Sequence, residues 1–227
     1  MSDYLIFTAT EKSNNNFLTT PIYQSMVRLP KEDPFIPHNT LIPIYNNKKS
    51  LSQLYNEAIK RYTHYNIIFC HDDLYIEDAF VFDKLEEAFK THDIIGLAGT
   101  EKVNYNKDIL SWFDQEYIKK GLGSGLVNHL HEGKRFPSYY GEFGKDLEAI
   151  DGLFMAVNPK KLIENDVFFD PQFDFHFYDL DFCKTAKKKE LKITTSPINT
   201  LHLSIGEGVL KEKYKKLNQK FKEKWGL

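Results

Sequence analysis

Four short stretches of this sequence hold residue types that can do chemistry at useful spacings. The first is His71-Asp72-Asp73, which follows the apolar run Ile67-Ile68-Phe69-Cys70 without a break. Two adjacent carboxylates repel each other unless a cation is present. Their hard oxygens, next to a phosphate, suit Mg²⁺ or Mn²⁺. A polar turn capping a helix would use the same residues. The second stretch, Phe177-Tyr178-Asp179-Leu180-Asp181-Phe182, sets two carboxylates among apolar neighbours. Such surroundings raise a carboxyl pKa and fit a general base, with N-capping as the plainer alternative. The third is Asp151-Gly152, ahead of the apolar run Leu153 to Val157, and by itself it reads as a turn. The fourth is His202 in Leu201-His202-Leu203-Ser204-Ile205-Gly206. A histidine between apolar residues is ordinarily a core residue and more rarely a metal ligand.

The elements that must position these residues alternate in the first half. Tyr4 to Ala9, Thr40 to Ile44, Asn66 to Cys70 and Asp93 to Ala98 read as strands. Asn14 to Met26, disturbed by Pro21, and Leu51 to Arg61, with Ser50 at its N-cap, read as helices, as does Ala79 to Lys90. Pro30, Pro34 and Pro37 mark a loop. Alternating strand and helix predicts a parallel sheet covered on both faces, and ligands collect at the carboxyl ends of such strands. Asn104 to Phe143 is polar, aromatic and Gly-rich, without clear periodicity. Ala149 to Val157 and Lys192 to Thr195 read as strands, Asp179 to Lys188 as a helix, and Leu210 to Trp225 as a basic helix.

Composition narrows the function classes. A net charge of −2 gives no field that favours nucleic acid. Cys70 and Cys183 sit in apolar contexts and read as buried free thiols, fitting a reducing compartment. No basic segment followed by a long apolar run opens the sequence, and no stretch reaches membrane-spanning length, so a soluble, cytoplasmic protein is expected.

The order of the four stretches resembles the GT-A glycosyltransferases, especially the inverting family-2-like group. The likeness extends to Ser50-Leu51-Ser52-Gln53-Leu54-Tyr55-Asn56-Glu57-Ala58-Ile59 and to the ending Phe221-Lys222-Glu223-Lys224-Trp225. It implies one α/β domain of GT-A fold over residues 1–227, with a mainly parallel central sheet flanked by helices. Within it, 1–103 would be the nucleotide-binding half, 104–206 the acceptor-side half and 207–227 a basic C-terminal helix. It also implies a nucleotide-sugar donor, an acceptor that is a glycan or lipid-linked saccharide, and Mn²⁺ or Mg²⁺ as cofactor.

Residue roles follow from the same resemblance. His71-Asp72-Asp73 stands where the family has its DXD motif, with His71 in place of the usual first Asp. Asp73 would bind the metal, joined by His202, and Asp72 would lie near the ribose or behind the metal. Thr8, Ala9 and Thr10 would line the nucleotide base, and Asn46 stands where the family often has an Asp. Asp179 matches the Asp of the ED motif and would be the base, with Tyr178 replacing the Glu. Asp151, Trp112, Tyr178 and Asp181 would face the acceptor or sugar.

The aromatic middle, including Tyr117, His129, His131, Tyr139 and Tyr140, serves either as an acceptor wall or as a local aromatic core. Gly121-Leu122-Gly123-Ser124-Gly125 does not follow a strand as a phosphate-binding loop would, and reads as a mobile loop over the donor. In the last helix Leu210, Tyr214, Leu217, Phe221 and Trp225 form one stripe. It would pack on the domain or, with the lysines, touch an anionic membrane peripherally. Two other functions use similar residues. A sugar-phosphate nucleotidyltransferase would carry glycines after the first strand, which Thr8-Ala9-Thr10-Glu11-Lys12 lacks. A carbohydrate- or nucleotide-binding module without catalysis would have no need of Asp73 and Asp179.

Overall fold

In the computed structural model, which describes residues 3–28, 39–204 and 212–227, the apolar run Tyr4–Ala9 forms strand β1. Helices α1 (Asn14–Phe17) and α2 (Pro21–Arg28) replace the single helix expected there. Pro21 explains the division: it lacks an N–H, its ring blocks the preceding turn, and it suits the first position of a new helix. The loop expected around Pro30, Pro34 and Pro37 lies outside the described residues. Strand β2 (Asn39–Ile44), helix α3 (Leu51–Arg61) and strand β3 (Asn66–Cys70) follow. Ser50 holds the N-cap position of α3, but its hydroxyl makes no capping bond, and the Leu51 N–H donates to Asp174 O instead.

The next elements are β4 (Leu74–Ile76), α4 (Val81–Phe89), β5 (Ile94–Gly96) and β6 (Ala98–Thr100). The aperiodic middle holds α5 (Gln115–Lys119) and a long hairpin, β7 (Gly123–His131) with β8 (Lys134–Gly141). The chain continues through β9 (Ala149–Ile150), β10 (Phe154–Val157), α6 (Pro159–Glu164), α7 (Tyr178–Lys188), β11 (Ile193–Thr195), β12 (Thr200–His202) and α8 (Glu212–Trp225). Gly121 to Gly125 is therefore not a loop over the donor. Gly121 follows α5, while Gly123 and Gly125 lie in β7. Gly125 has φ +105, and a Cβ there would stand 2.0 Å from Leu97 O, so the close approach of β6 requires glycine at that bulge.

The central sheet runs β11-β5-β10-β3-β1-β2. Its pairings are parallel except those of β10, which runs against β3 and β5, so the expected mainly parallel sheet is present. Both faces are covered. Phe7 and Phe69 point into one core with Tyr55, while Ile6 and Ile68 point into the other with Leu85. That is the period-2 alternation of strands buried on both sides. The aromatic run Phe168 to Phe177 is largely core: Phe169, Phe173 and Phe177 are buried, and the Phe169 and Phe182 rings stack at 4.0 Å.

A second sheet, β4-β12-β7-β6-β9 with β8 on β7, grows from the first at two side-by-side crossings. At Leu97 the chain leaves β5 for β6, and at Asp151-Gly152-Leu153 it passes from β9 into β10. Each was expected as one continuous strand; the apolar pattern runs through both because each half is buried in its own sheet.

Helix α8 turns its stripe inward. Leu217 and Phe221 are buried, Tyr214 and Trp225 pack on the same core, and Asn218 accepts from Leu110 N–H and donates to Asp108 O. The face that an interfacial helix would bury in lipid is thus occupied inside the domain; Leu210 lies outside the described residues. Asp181 is part of this dock. It is fully buried, accepting from Trp225 Nε1 at 2.9 Å and from Lys224 Nζ at 2.8 Å. Burial raises its pKa although Lys224 pulls it down. The expected acceptor role of Asp181 is therefore corrected to an anchor for α8. Asp181→Ala is expected to lower stability by roughly 2–3 kcal/mol, because Lys224 keeps its second partner Asp170. Urea unfolding measures it.

Candidate active site

The carboxyl ends of β2, β1 and β3 open onto a cavity of about 720 Å³ whose lining includes Ala9, Thr10, Lys12, Asn46 and Asp72. Thr10 Oγ1 donates to Asp72 Oδ2 at 2.6 Å and accepts from Lys12 N–H at 3.1 Å, tying the loop after β1 to the turn after β3. Lys12 Nζ stands 3.9 Å from Asp72 Oδ2. Asn46 follows β2 in a left-handed conformation (φ +48), which Asn tolerates, and its N–H donates to Lys12 O. Thr8 does not belong to this lining. It is fully buried inside β1, and its hydroxyl has no hydrogen-bond partner among the described residues.

A second cavity of about 510 Å³ adjoins the first, with Trp112, Tyr140, Asp151, Asp179 and His202 in its wall. His71, Asp73 and Phe175 line both, so the acidic trio stands at their junction. Sheet register brings the distant members together. Strand β4 begins one residue after Asp73 and pairs with β12, setting His202 opposite Leu74, while Leu203 N–H donates to Asp73 O. His202 Nε2 then lies 3.3 Å from Asp73 Oδ2. Burial would raise the Asp73 carboxyl, but the bond from His202 and the charges of His202 and His71 hold it below its ordinary value.

The crossing between β9 and β10 supplies the opposite wall. Asp151 Oδ1 accepts from Leu153 N–H at 2.7 Å, and its Oδ2 accepts from Trp112 Nε1 at 2.8 Å. Asp179 Oδ2 accepts from Gly152 N–H at 3.0 Å, and its Oδ1 from Leu180 N–H at 2.8 Å. Neighbouring amides of one turn therefore hold two carboxylates. Burial, and then the charge of Asp151, push the Asp179 carboxyl up to about 7. Tyr178 Oη donates to Gly152 O at 2.9 Å and lies 3.3 Å from His71 Nε2. The phenol has one proton, so His71 Nε2 carries the other and donates to Tyr178. Burial lowers the His71 pKa in spite of the opposing charges of Asp73 and Asp151. Gly152 is required here, since a Cβ would fall 2.1 Å from Tyr178 Oη. Gly152→Ala is expected to destabilise the fold by about 1–3 kcal/mol, read as a lower urea midpoint.

Asp73 Oδ1 and His202 Nδ1 are buried without a hydrogen-bond partner among the described residues. Unpaired buried polar atoms are costly and call for a ligand. One carboxylate and one imidazole fit Mn²⁺ or Mg²⁺ completed by phosphate oxygens. Among the described residues no group of three His, Cys, Asp or Glu side chains is placed to hold a metal ion.

Lys12 and Phe175 were not singled out from the sequence. Phe175 lines both cavities and stacks on His71 with ring centroids 6.1 Å apart. It stands in an aromatic run that otherwise builds core, so nothing local marks it. Lys12 follows the carboxyl end of β1, a position that the switch-point rule could have flagged.

A search of curated proteins finds no match. Among solved structures, the chain is similar to residues 1–349 of TarS from S. aureus, at 12% identity and a TM-score of 0.51, covering 88% of this chain and 60% of that one. The same TarS segment in complex with UDP gives a TM-score of 0.50 at 12% identity, over 89% and 60%. The chain thus spans 60% of the length of the TarS chain. These are likenesses of fold, and they agree with the GT-A arrangement expected from the motif order. The sequence profile of the glycosyltransferase-like family matches residues 17–225. Since that match runs from α1 to the last turn of α8, the chain belongs to the glycosyltransferase-like family.

Proposed function

We propose that this chain transfers a sugar from a nucleoside-diphosphate sugar to an acceptor hydroxyl, with inversion. The observation that carries the reading is the junction of two cavities at Asp73, with Asp179 on the far wall. The nucleotide occupies the cavity at the ends of β2, β1 and β3, against Ala9, Thr10, Asn46 and Asp72. Its diphosphate reaches Asp73 and His202, the residues that would hold Mn²⁺ or Mg²⁺. A divalent cation bound there supplies charge neutralisation for the departing diphosphate, worth several kcal/mol. The acceptor enters beside Trp112 and Asp151. Asp179 takes the proton from its hydroxyl as that oxygen attacks the anomeric carbon from the face opposite the leaving group. A carboxyl poised near 7 suits this role, since a base works best with its pKa close to the working pH. Tyr178, braced by His71, holds the Gly152 carbonyl, and through that turn it fixes the amide that orients Asp179.

UDP is the first nucleotide to test, because a protein of similar fold binds it. A thermal-shift screen of nucleoside diphosphates and nucleotide sugars, with and without Mn²⁺, tests the donor site. The best donor should raise the midpoint most, and more with Mn²⁺. No shift with any of them would remove the donor cavity from the account. The pH profile follows from the base. Asp179 must be ionised to accept a proton, so kcat should rise with pH through about 7 and level off above it. A rate already level at pH 5 would exclude Asp179 as the base.

A further inference from the structure

The acceptor wall does not stop at the cavity. Val127, His129 and Tyr140 of the hairpin line it, and the same face runs outward. His129 pairs with Phe136 across the two strands, and their rings stack at 5.3 Å and 21°. Ser138, paired with Val127, lies between Phe136 and Tyr140. From Tyr140 to Phe136 is four residues of strand, roughly 13 Å, enough for more than one pyranose ring in line. At the inner end the rings of Trp112, Phe113 and Tyr140 form an edge-to-face cluster with centroids 5.2 to 6.0 Å apart. Phe113 is 46% exposed and Phe136 39%.

Exposed rings gathered at the mouth of a cavity mark a binding surface. The surface is also held in place. His129 Nδ1 lies 3.1 Å from Ser204 O, and Arg135, on the opposite face, makes a two-pronged bond to Glu77 with Nη1 to Oε1 at 3.0 Å. Rigid rings lose little entropy on binding. The rings alternate with a hydroxyl and an imidazole, which matches a ligand bearing both apolar C–H faces and hydroxyls at short intervals.

We infer that the β7–β8 hairpin is a docking platform for an extended glycan acceptor, whose terminal sugar enters the catalytic cavity while the preceding sugars lie on Tyr140 and Phe136. This rests on the proposed transfer reaction, because the cavity end of the platform is fixed by Asp179.

The test is binding of the whole chain to immobilised β-1,4-glucan, chitin-type and α-linked glucan oligosaccharides of graded length, from a single sugar upward, with and without UDP. Vesicles of anionic phospholipid form a parallel arm. Wild type should retain at least one series, more tightly as sugars are added beyond the first. Phe136→Ala should weaken the longer members about tenfold and leave single-sugar and UDP affinity unchanged. Phe136→Tyr should restore the length dependence. Phe136 is partly exposed and outside the catalytic machinery, so both variants are expected to fold. Affinity that ignores length, a Phe136→Ala variant equal to wild type on long chains, capture of vesicles alone, or retention of no glycan would each overturn the platform. Failure of UDP to bind while glycans are still retained by length would instead count against the donor-site reading.

Discussion

Asp179→Asn is expected to lower sugar transfer by about a hundredfold to ten-thousandfold while nucleotide affinity stays near wild type. The side chain faces the second cavity and not the nucleotide cavity, so only the proton-accepting step is lost. Asn can still accept the Gly152 N–H through its carbonyl, which preserves the turn. Stability supplies an internal control. The carboxyl titrates at about 7 in the fold and at 3.8 in its unperturbed state, so between those values the folded state holds the extra proton. Wild-type stability therefore falls as pH rises through that window. The Asn variant lacks this slope, so its stability relative to wild type should increase from pH 4 to pH 7 and then stay constant. Urea unfolding across that range reads it. An inactive variant with no cooperative unfolding transition at pH 8 would show that inactivity came from misfolding.

Asp73→Ala is the second large effect. Among the described residues, Asp73 is the only carboxylate that lines both cavities, and it also touches His202. Its loss should weaken UDP binding by about a hundredfold in Mn²⁺ and change it little without metal, because the base and ribose contacts proposed for the first cavity do not involve it. Calorimetric titration in the presence of Mn²⁺ and of chelator gives both values. Equal affinities in the two conditions, for wild type as well as variant, would remove the metal from the account. Asp73→Asn keeps the volume and the bond to His202 while removing the charge, so it separates metal binding from packing.

Much of the frame was legible because local pattern and tertiary burial agree. Strands β1 and β3 and helix α3 fall on their expected residues, since each has one period and one environment. The crossings at Leu97 and at Asp151-Gly152-Leu153 were hidden because hydrophobicity does not register a change of sheet. The β7–β8 hairpin was hidden for another reason. Every residue of β8 is exposed or half-buried, and the strand contains Pro137, so it lacks the alternation of a strand with one buried face.

Among the site residues, Asp179 and Asp181 show what spacing can and cannot tell. A helix turns about 200° over two residues, so the pair must face opposite ways, and only one can look into a cavity. Which one was fixed by Trp225 and Lys224, more than forty positions away. Thr8 was misplaced for a similar reason: the strand continues through Ala9, which leaves Thr8 inside the sheet. His202 came into the site through the β12–β4 register, a long-range pairing that its own surroundings do not announce.

The most direct measurement is release of nucleoside diphosphate from a panel of nucleotide sugars in Mn²⁺, with acceptor oligosaccharides, by wild type and by Asp179→Asn side by side. The account predicts turnover by wild type on at least one donor, rising with pH through about 7, and near-complete loss in the variant with UDP binding intact. Release by both at the same rate, or by neither while nucleotide sugars bind tightly, would contradict it.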